Sequence, residues 1–300
     1  MDHLVTATAA EGTVRIRAAV TTRLVAEARD RHDCAPTASA ALGRLMTAAA
    51  LMGSGLKGAR RVALQVAGDG PLRNVVAEAF ESGEGIGVRG YALHPDVDLP
   101  LAHNGKFNVS GAVGRGVLQV TRTLENGQPY TGIVELTSGE IGDDIAGYYA
   151  SSEQTPSVVA LGVLASPKGI LAAGGVIAEL MPGAREHTID ALADAAAKLP
   201  PVTALVRAGA DAPALVRALA ANMEPKLLQR LPLRFACRCS RQKVELAIRS
   251  LGAATLGEMV REHRSQDVTC DYCGRVYELT SDEVATLASS DGRTRPRPQG

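Results

Sequence analysis

The chain has no tryptophan, and Phe and Tyr together supply only 3% of its 300 residues. A core here must be filled by Ala, Val, Leu and Ile. Charge of one sign is missing too, because 32 basic residues face 32 acidic ones. Without a net field, composition gives no reason to expect nucleic acid or an anionic membrane as a partner. The amino terminus, MDHLVTATAAEG, carries no basic or apolar signal-peptide region, and no apolar run reaches the length of a membrane span. These absences predict a cytoplasmic protein. Cysteine is scarce, five in all: Cys34, Cys237, Cys239, Cys270 and Cys273. In a reducing compartment clustered thiols serve as metal ligands or redox groups more often than as structural disulfides.

What is present suits a globular protein, with 46% hydrophobic and 21% charged residues. The length allows one large domain and something smaller. Residues 26–53 read as an Ala-rich helix interrupted near Pro36. Val62, Leu64 and Val66 alternate as in a strand that ends in the turn GDGP, 68–71. GVLQVTRTL and YTGIVEL flank ENGQP, where Asn126-Gly127 predicts a hairpin. A short helix is expected over 141–151, with strands near 157–164 and 170–180. Hairpins beside separate helices predict an α+β core domain with an antiparallel-rich sheet, residues 1–182.

Residues 183–232 change character into short helical stretches broken by Pro200, Pro201, Pro213, Pro225 and Pro232. Narrow apolar faces are expected at Ile189, Leu192, Ala196 and Leu199, at Val202, Leu205 and Val206, and at Leu215, Val216 and Leu219. Helices this short are marginal alone, so this helical linker must dock on a neighbour. Residues 233–287 form a third unit. Ser240 is a candidate N-cap, Val244, Ala247, Ile248 and Leu251 make a stripe that Gly252 would end, and Thr280 with Glu283 makes a capping box. The Pro- and Arg-rich tail, 288–300, has the composition of a disordered segment.

Two glycine motifs invite a nucleotide-binding reading and fail it. GIGVRG, 85–90, is followed by YALHPDVDLP, which leaves no room for the helix a dinucleotide site needs. SGAVGRG, 110–116, lacks the Lys-Ser/Thr of a P-loop. The six histidines, His3, His32, His94, His103, His187 and His263, form no metal-binding pair at helical spacing, although His263 could replace a thiol in the third unit. Cys34 reads as a small apolar filler. No nucleophile, base and oxyanion set is visible, and an enzyme is not expected.

The remaining cysteines fall in two pairs, FACRCSRQK and CDYCGRVY. Four thiols in a unit of 55 residues, 233–287, predict a tetrahedral site for one Zn2+ bound by Cys237, Cys239, Cys270 and Cys273. Both sulfurs of C-x-C face one side of an extended segment. The C-x-x-C pair precedes Gly274, which permits a tight turn. Metal binding would supply folding free energy that so small a unit lacks, on the order of 10 kcal/mol. Eight basic side chains against six acidic ones over 233–280, with the dianionic zinc tetrathiolate added, leave almost no net charge. A phosphate-binding footprint should be distinctly basic, so specific nucleic-acid binding is not expected. Zinc-bound thiolates remain nucleophiles toward oxidants. The cluster thus admits two uses, a permanent structural ribbon or a site that exchanges metal for disulfides.

At these residues the chain resembles the heat shock protein 33 family of redox-regulated chaperones. F-x-C-x-C-S-R (235–241) and C-D-Y-C-G-x-x-Y (270–277) are similar to its zinc-switch motif. GDGPL (68–72), GQPYTGIVEL (127–136), SSEQTPS (151–157) and AAGGVIAELMP (172–182) resemble its core signatures in the same order. The resemblance implies a holdase that works without ATP, binds unfolding client proteins and dimerises when oxidised. It further implies that the reduced form holds zinc and is inactive. Oxidation would form the Cys237–Cys239 and Cys270–Cys273 disulfides, release zinc and unfold the linker. The alternative is a constitutive zinc ribbon that binds nucleic acid or a fixed protein partner.

Overall fold

The computed structural model describes residues 1–54, 59–124, 127–262 and 264–290. Asn126 of the expected turn, His263 and the tail from 291 lie outside the described residues. The chain divides into two compact units, residues 1–236 and residues from 237 onward.

The first unit is built around one buried helix. After β1 (His3–Ala9) and β2 (Val14–Val20) come α1 (Thr22–His32) and α2 (Pro36–Gly53). Sequence reading starts the first helix four residues late, at Ala26, but places the break at Pro36 correctly. Asp33 ends α1 in the left-handed conformation, and Pro36 opens α2, where its missing N–H costs nothing. Every residue from Thr37 to Met52 is buried. A helix that is apolar all round must be covered all round, and the small residues of PTASAALGRLMTAAALMG let strands approach closely on several sides. The one cation in it, Arg44, pairs with Glu140.

The covering is a ten-stranded sheet. It adds β3 (Ala59–Gly68), β4 (Asn74–Ser82) and β5 (Gly85–Ala92). Then follow the short helix α3 (Val109–Val113), β6 (Gly116–Leu124), β7 (Pro129–Glu135) and α4 (Ile141–Ser151). β8 (Ser157–Ser166) and β9 (Gly169–Leu180) make the last expected hairpin. α2 packs against β3, β4 and β5 in one half of the sheet and against β2, β8 and β9 in the other. GIGVRG lies inside β5, as expected of a strand. The glycines of GDGP and GRG serve backbone contact: a Cβ on Gly68 would sit 1.9 Å from the Val113 carbonyl oxygen, and one on Gly116 1.9 Å from that of Ala67.

The residues after Met181 require one correction. α5 (Glu186–Lys198), α6 (Val202–Arg207) and α7 (Ala212–Ala220) are helices, but Lys226–Phe235 is a strand, β10, not the end of a helical segment reaching 232. The sheet order is β7-β6-β3-β4-β5-β10-β1-β2-β9-β8, so β10 joins the two halves. It pairs antiparallel with β1 and parallel with β5, the sole parallel pairing among the described strands. Pro232 is tolerated because its pairing partner is His3 of β1, and the bonding to β5 begins only at Leu233. Leu231, Leu233 and Phe235 alternate toward the α2 side.

Helices α6 and α7 cover the other face of β1, β2 and β9, and α5 packs against α7 and β8. Val5, Ala7, Ile16, Ala18, Val176 and Ala178 from the strands meet Leu192, Val202, Leu215, Val216 and Leu219 from the helices. The expected faces of α6 and α7 are the docked ones. In α5 the buried positions are Thr188, Leu192 and Ala195, while Ile189 is 45% exposed. Asp211 caps α7 by accepting from the Ala214 N–H, and His3 Nε2 accepts from the Ala212 N–H.

The second unit contains α8 (Arg241–Arg249), α9 (Ala253–Arg261), the hairpin β11 (Gln266–Thr269) and β12 (Val276–Leu279), and α10 (Ser281–Ser290). Ser240 caps α8 through the Lys243 N–H, and Thr280 and Glu283 exchange the two bonds of a capping box. Gly252 precedes α9, a helix the sequence reading did not separate, and Leu251 of the predicted stripe is half-exposed. Val244, Ile248, Leu256, Leu279, Val284 and Leu287 are the buried core of this unit. Six apolar side chains are a thin core for a unit this size.

Candidate metal centre

Cys237 and Cys239 lie in the extended segment before α8, and Cys270 and Cys273 in the turn between β11 and β12. The knuckle is tightened by backbone bonds. The Gly274 N–H donates to the Cys270 carbonyl, the Cys270 N–H donates to the Arg275 carbonyl, and Gly274 takes φ 68°, which glycine adopts without strain.

The four Sγ atoms lie within 4.8 Å of one another and could hold a metal ion. Between the segments, Cys237 lies 3.7 Å from Cys270 and Cys239 lies 3.5 Å from Cys273. Sulfurs at the corners of a tetrahedron around zinc, with bonds of about 2.3 Å, would be about 3.8 Å apart. The separations fit that edge and exceed by far the roughly 2.05 Å of a disulfide. All four are free thiols, and Cys273 is the buried member.

Burial, followed by crowding from the other sulfurs, pushes the Cys273 thiol up to about 12, against the lowering effect of the Arg275 N–H. Burial likewise raises Cys270, opposed by the Tyr272 N–H. A bound dication inverts this order, since a coordinating thiol is deprotonated outright. Metal binding at this cluster therefore displaces protons, and its affinity rises with pH.

The sequence-derived ligand set is thus brought together, and none of the histidines among the described residues joins it. Cys34 stays apart in the core of the first unit, where burial pushes its thiol up to about 12, in keeping with an inert filler. Sequence reasoning missed the role of Tyr277. Its hydroxyl donates to Cys239 Sγ at 3.0 Å from β12. The only signal was its place in C-D-Y-C-G-x-x-Y, and a motif position does not say where a ring points.

No helix among the described residues is long and apolar enough to cross a membrane. Comparison with known proteins agrees with the site. The family profile described as Hsp33 protein matches residues 2–280. The 33 kDa chaperonins of Staphylococcus aureus strains Newman and COL are each 40% identical over 291 residues, covering 96% of this chain and 98% of theirs. The crystal structure of the 33 kDa chaperonin (heat shock protein 33 homolog) of Thermotoga maritima superposes with a TM-score of 0.89 at 31% identity, covering 97% of this chain and 99% of that one. With a free four-cysteine cluster at one end and the family profile matched along almost its whole length, the chain belongs to the Hsp33 family of chaperones.

Proposed function

We propose that this chain is a cytoplasmic, redox-regulated holdase that binds unfolding proteins without ATP and without catalysing a reaction on them. The observation that carries the reading is the arrangement of the sulfurs. Sulfurs of the Cys237–Cys239 segment lie 3.7 and 3.5 Å from sulfurs of the Cys270–Cys273 knuckle, so a shared ion would staple two segments 33 residues apart. Zinc, bound by Cys237, Cys239, Cys270 and Cys273, would supply on the order of 10 kcal/mol to a unit with a thin core. Oxidation within each local pair, Cys237–Cys239 and Cys270–Cys273, removes every ligand and cuts the staple. Each pair of thiolates gives up two electrons to one hydrogen peroxide molecule, which takes two protons from solvent and leaves as two waters.

The domain roles follow from this reading. Residues 1–182 together with β10 form the stable core. The α5–α7 linker, expected at 183–232 and here ending before Lys226, is the metastable element. The cysteine unit is the redox-sensitive element. Undocking of α5–α7 would uncover the apolar face of β1, β2 and β9, a surface for clients and for a second copy in the oxidised homodimer.

The test is suppression of a model protein's aggregation by reduced and by peroxide-treated chain. The oxidised chain should protect and the reduced chain should not. A reduced form that is the better holdase would overturn the reading. Protection should be unchanged by ATP, and an ATPase activity that tracks client release would contradict the binding-only role.

Metal content gives a separate check. One zinc per chain is expected in the reduced protein. Replacing any of the four cluster cysteines by Ser should weaken binding at least tenfold, because an incomplete thiolate set loses a bond and its charge. Cys34→Ser should keep the full equivalent.

A further inference from the structure

The cluster has a side-chain neighbour whose chemistry bears on how readily it reacts. We propose that Tyr277 is a positioning residue that restrains Cys239, its phenol hydroxyl holding that sulfur's lone pair in a hydrogen bond and so setting the oxidant threshold of the cluster. This rests on the redox reading above.

The geometry fixes the donor. Tyr277 pairs with Val268 across the β11–β12 hairpin, and its ring packs half-buried against the small core of the unit. From there the hydroxyl reaches Cys239 Sγ, 38 residues earlier in the chain, at 3.0 Å. Arg275 lies two residues before Tyr277, just ahead of β12. Its exposed guanidinium is a hydrogen-bond partner of the same phenol. The phenol oxygen thus accepts from a cation while its hydroxyl donates to sulfur, an outer-sphere chain of the kind that tunes thiolate ligands.

Cys270 and Cys273 take their bonds from the main-chain N–H groups of Tyr272 and Arg275. Those donors stay whatever side chain is present. The bond to Cys239 depends on one hydroxyl, so a single substitution can remove it.

The step it governs is the attack of sulfur on a hydroperoxide. The Cys239 thiolate adds to one peroxide oxygen and the O–O bond breaks, leaving a sulfenic acid and hydroxide. The Cys237 thiolate then attacks the sulfenic sulfur, the S–S bond forms, the S–O bond breaks and a second hydroxide departs. Two protons from solvent convert the hydroxides to water. The two sulfurs lose two electrons, the peroxide gains them, and Tyr277 loses none. A lone pair engaged by O–H is less available for the first step, so removing the hydroxyl accelerates it.

The test uses the full chain, reduced and zinc-loaded, as wild type, Tyr277→Phe and Arg275→Met. Zinc release after peroxide addition is followed with a chromogenic chelator, and differential alkylation with peptide mass mapping identifies the first sulfur oxidised. Tyr277→Phe keeps the ring and its packing. It should release zinc about tenfold faster, as loss of one hydrogen bond to a charged sulfur implies. The excess early oxidation should fall on Cys239, with chelator-driven release in the absence of peroxide changed far less. Arg275→Met should give a smaller acceleration, because its guanidinium acts through the phenol. Equal rates for wild type and Tyr277→Phe would overturn the proposal. So would an acceleration spread evenly over all four cysteines and matched without peroxide, since that reports a loosened fold. Wild-type chain that keeps its zinc under peroxide would overturn the redox reading, and this proposal with it.

Discussion

Peroxide under mild heat is expected to speed amide exchange across α5–α7 and the cysteine unit while the ten-stranded sheet stays protected. The three helices have 13, 6 and 9 residues. Helices shorter than about 12–15 residues are marginal in water even with favourable sequences, so these persist through docking. Loss of a metal contribution on the order of 10 kcal/mol is comparable with the whole stability of an ordinary domain. Such a loss should spread beyond the cysteine unit to the least stable neighbouring segment in the chain. β10 makes the prediction specific. Although it lies between the linker helices and the cysteines in sequence, it is bonded to β1 and β5 inside the sheet. Exchange should therefore rise over 186–220 and from 237 onward and stay slow over 227–235. Reductant and zinc together should restore protection. Unchanged exchange in α5–α7 after the metal has left would break the proposed coupling, and melting of the sheet in the same interval would show general unfolding instead of a switch.

That pattern also shows where sequence reading succeeds and where it stops. The helix at 141–151 is legible because its boundaries are local, and the β8–β9 hairpin because both strands alternate beside a turn. The four-cysteine cluster is legible because two pairs of cysteines carry their spacing with them. β10 is not, since its pairing partner β1 lies more than 200 residues away and Pro225 and Pro232 read locally as helix breakers. The outward turn of Ile189 and the aim of the Tyr277 hydroxyl fail for the same reason. Periodicity defines a face, but what covers that face is decided by segments remote in sequence. For α5, the neighbours are α7 and β8, and the buried stripe is Thr188, Leu192 and Ala195.

Leu219→Asp is expected to activate the reduced, zinc-loaded chain without any oxidant. Leu215, Val216 and Leu219 are fully buried where α7 lies on β1 and β2. A carboxylate at position 219 would be fully buried in an apolar cluster that includes Val5, Ala7, Ile16 and Ala18. Losing the leucine costs about 2–5 kcal/mol, and burying an unpaired charge adds several more unless it is protonated. A nine-residue helix has little stability of its own to resist this. Its cheapest response is to leave the sheet, which uncovers the surface assigned to clients while the four thiols, remote in sequence, keep their ion. The variant should suppress aggregation in reductant, retain one zinc per chain and keep the sheet's circular-dichroism signal. Ile189→Asp, on the exposed side of α5, should behave as wild type and separates undocking from a mere change of charge. If Leu219→Asp shows rapid exchange in α7 and still protects nothing until peroxide is added, client binding does not depend on the face beneath α7. The surface would then have to lie in the oxidised cysteine unit itself.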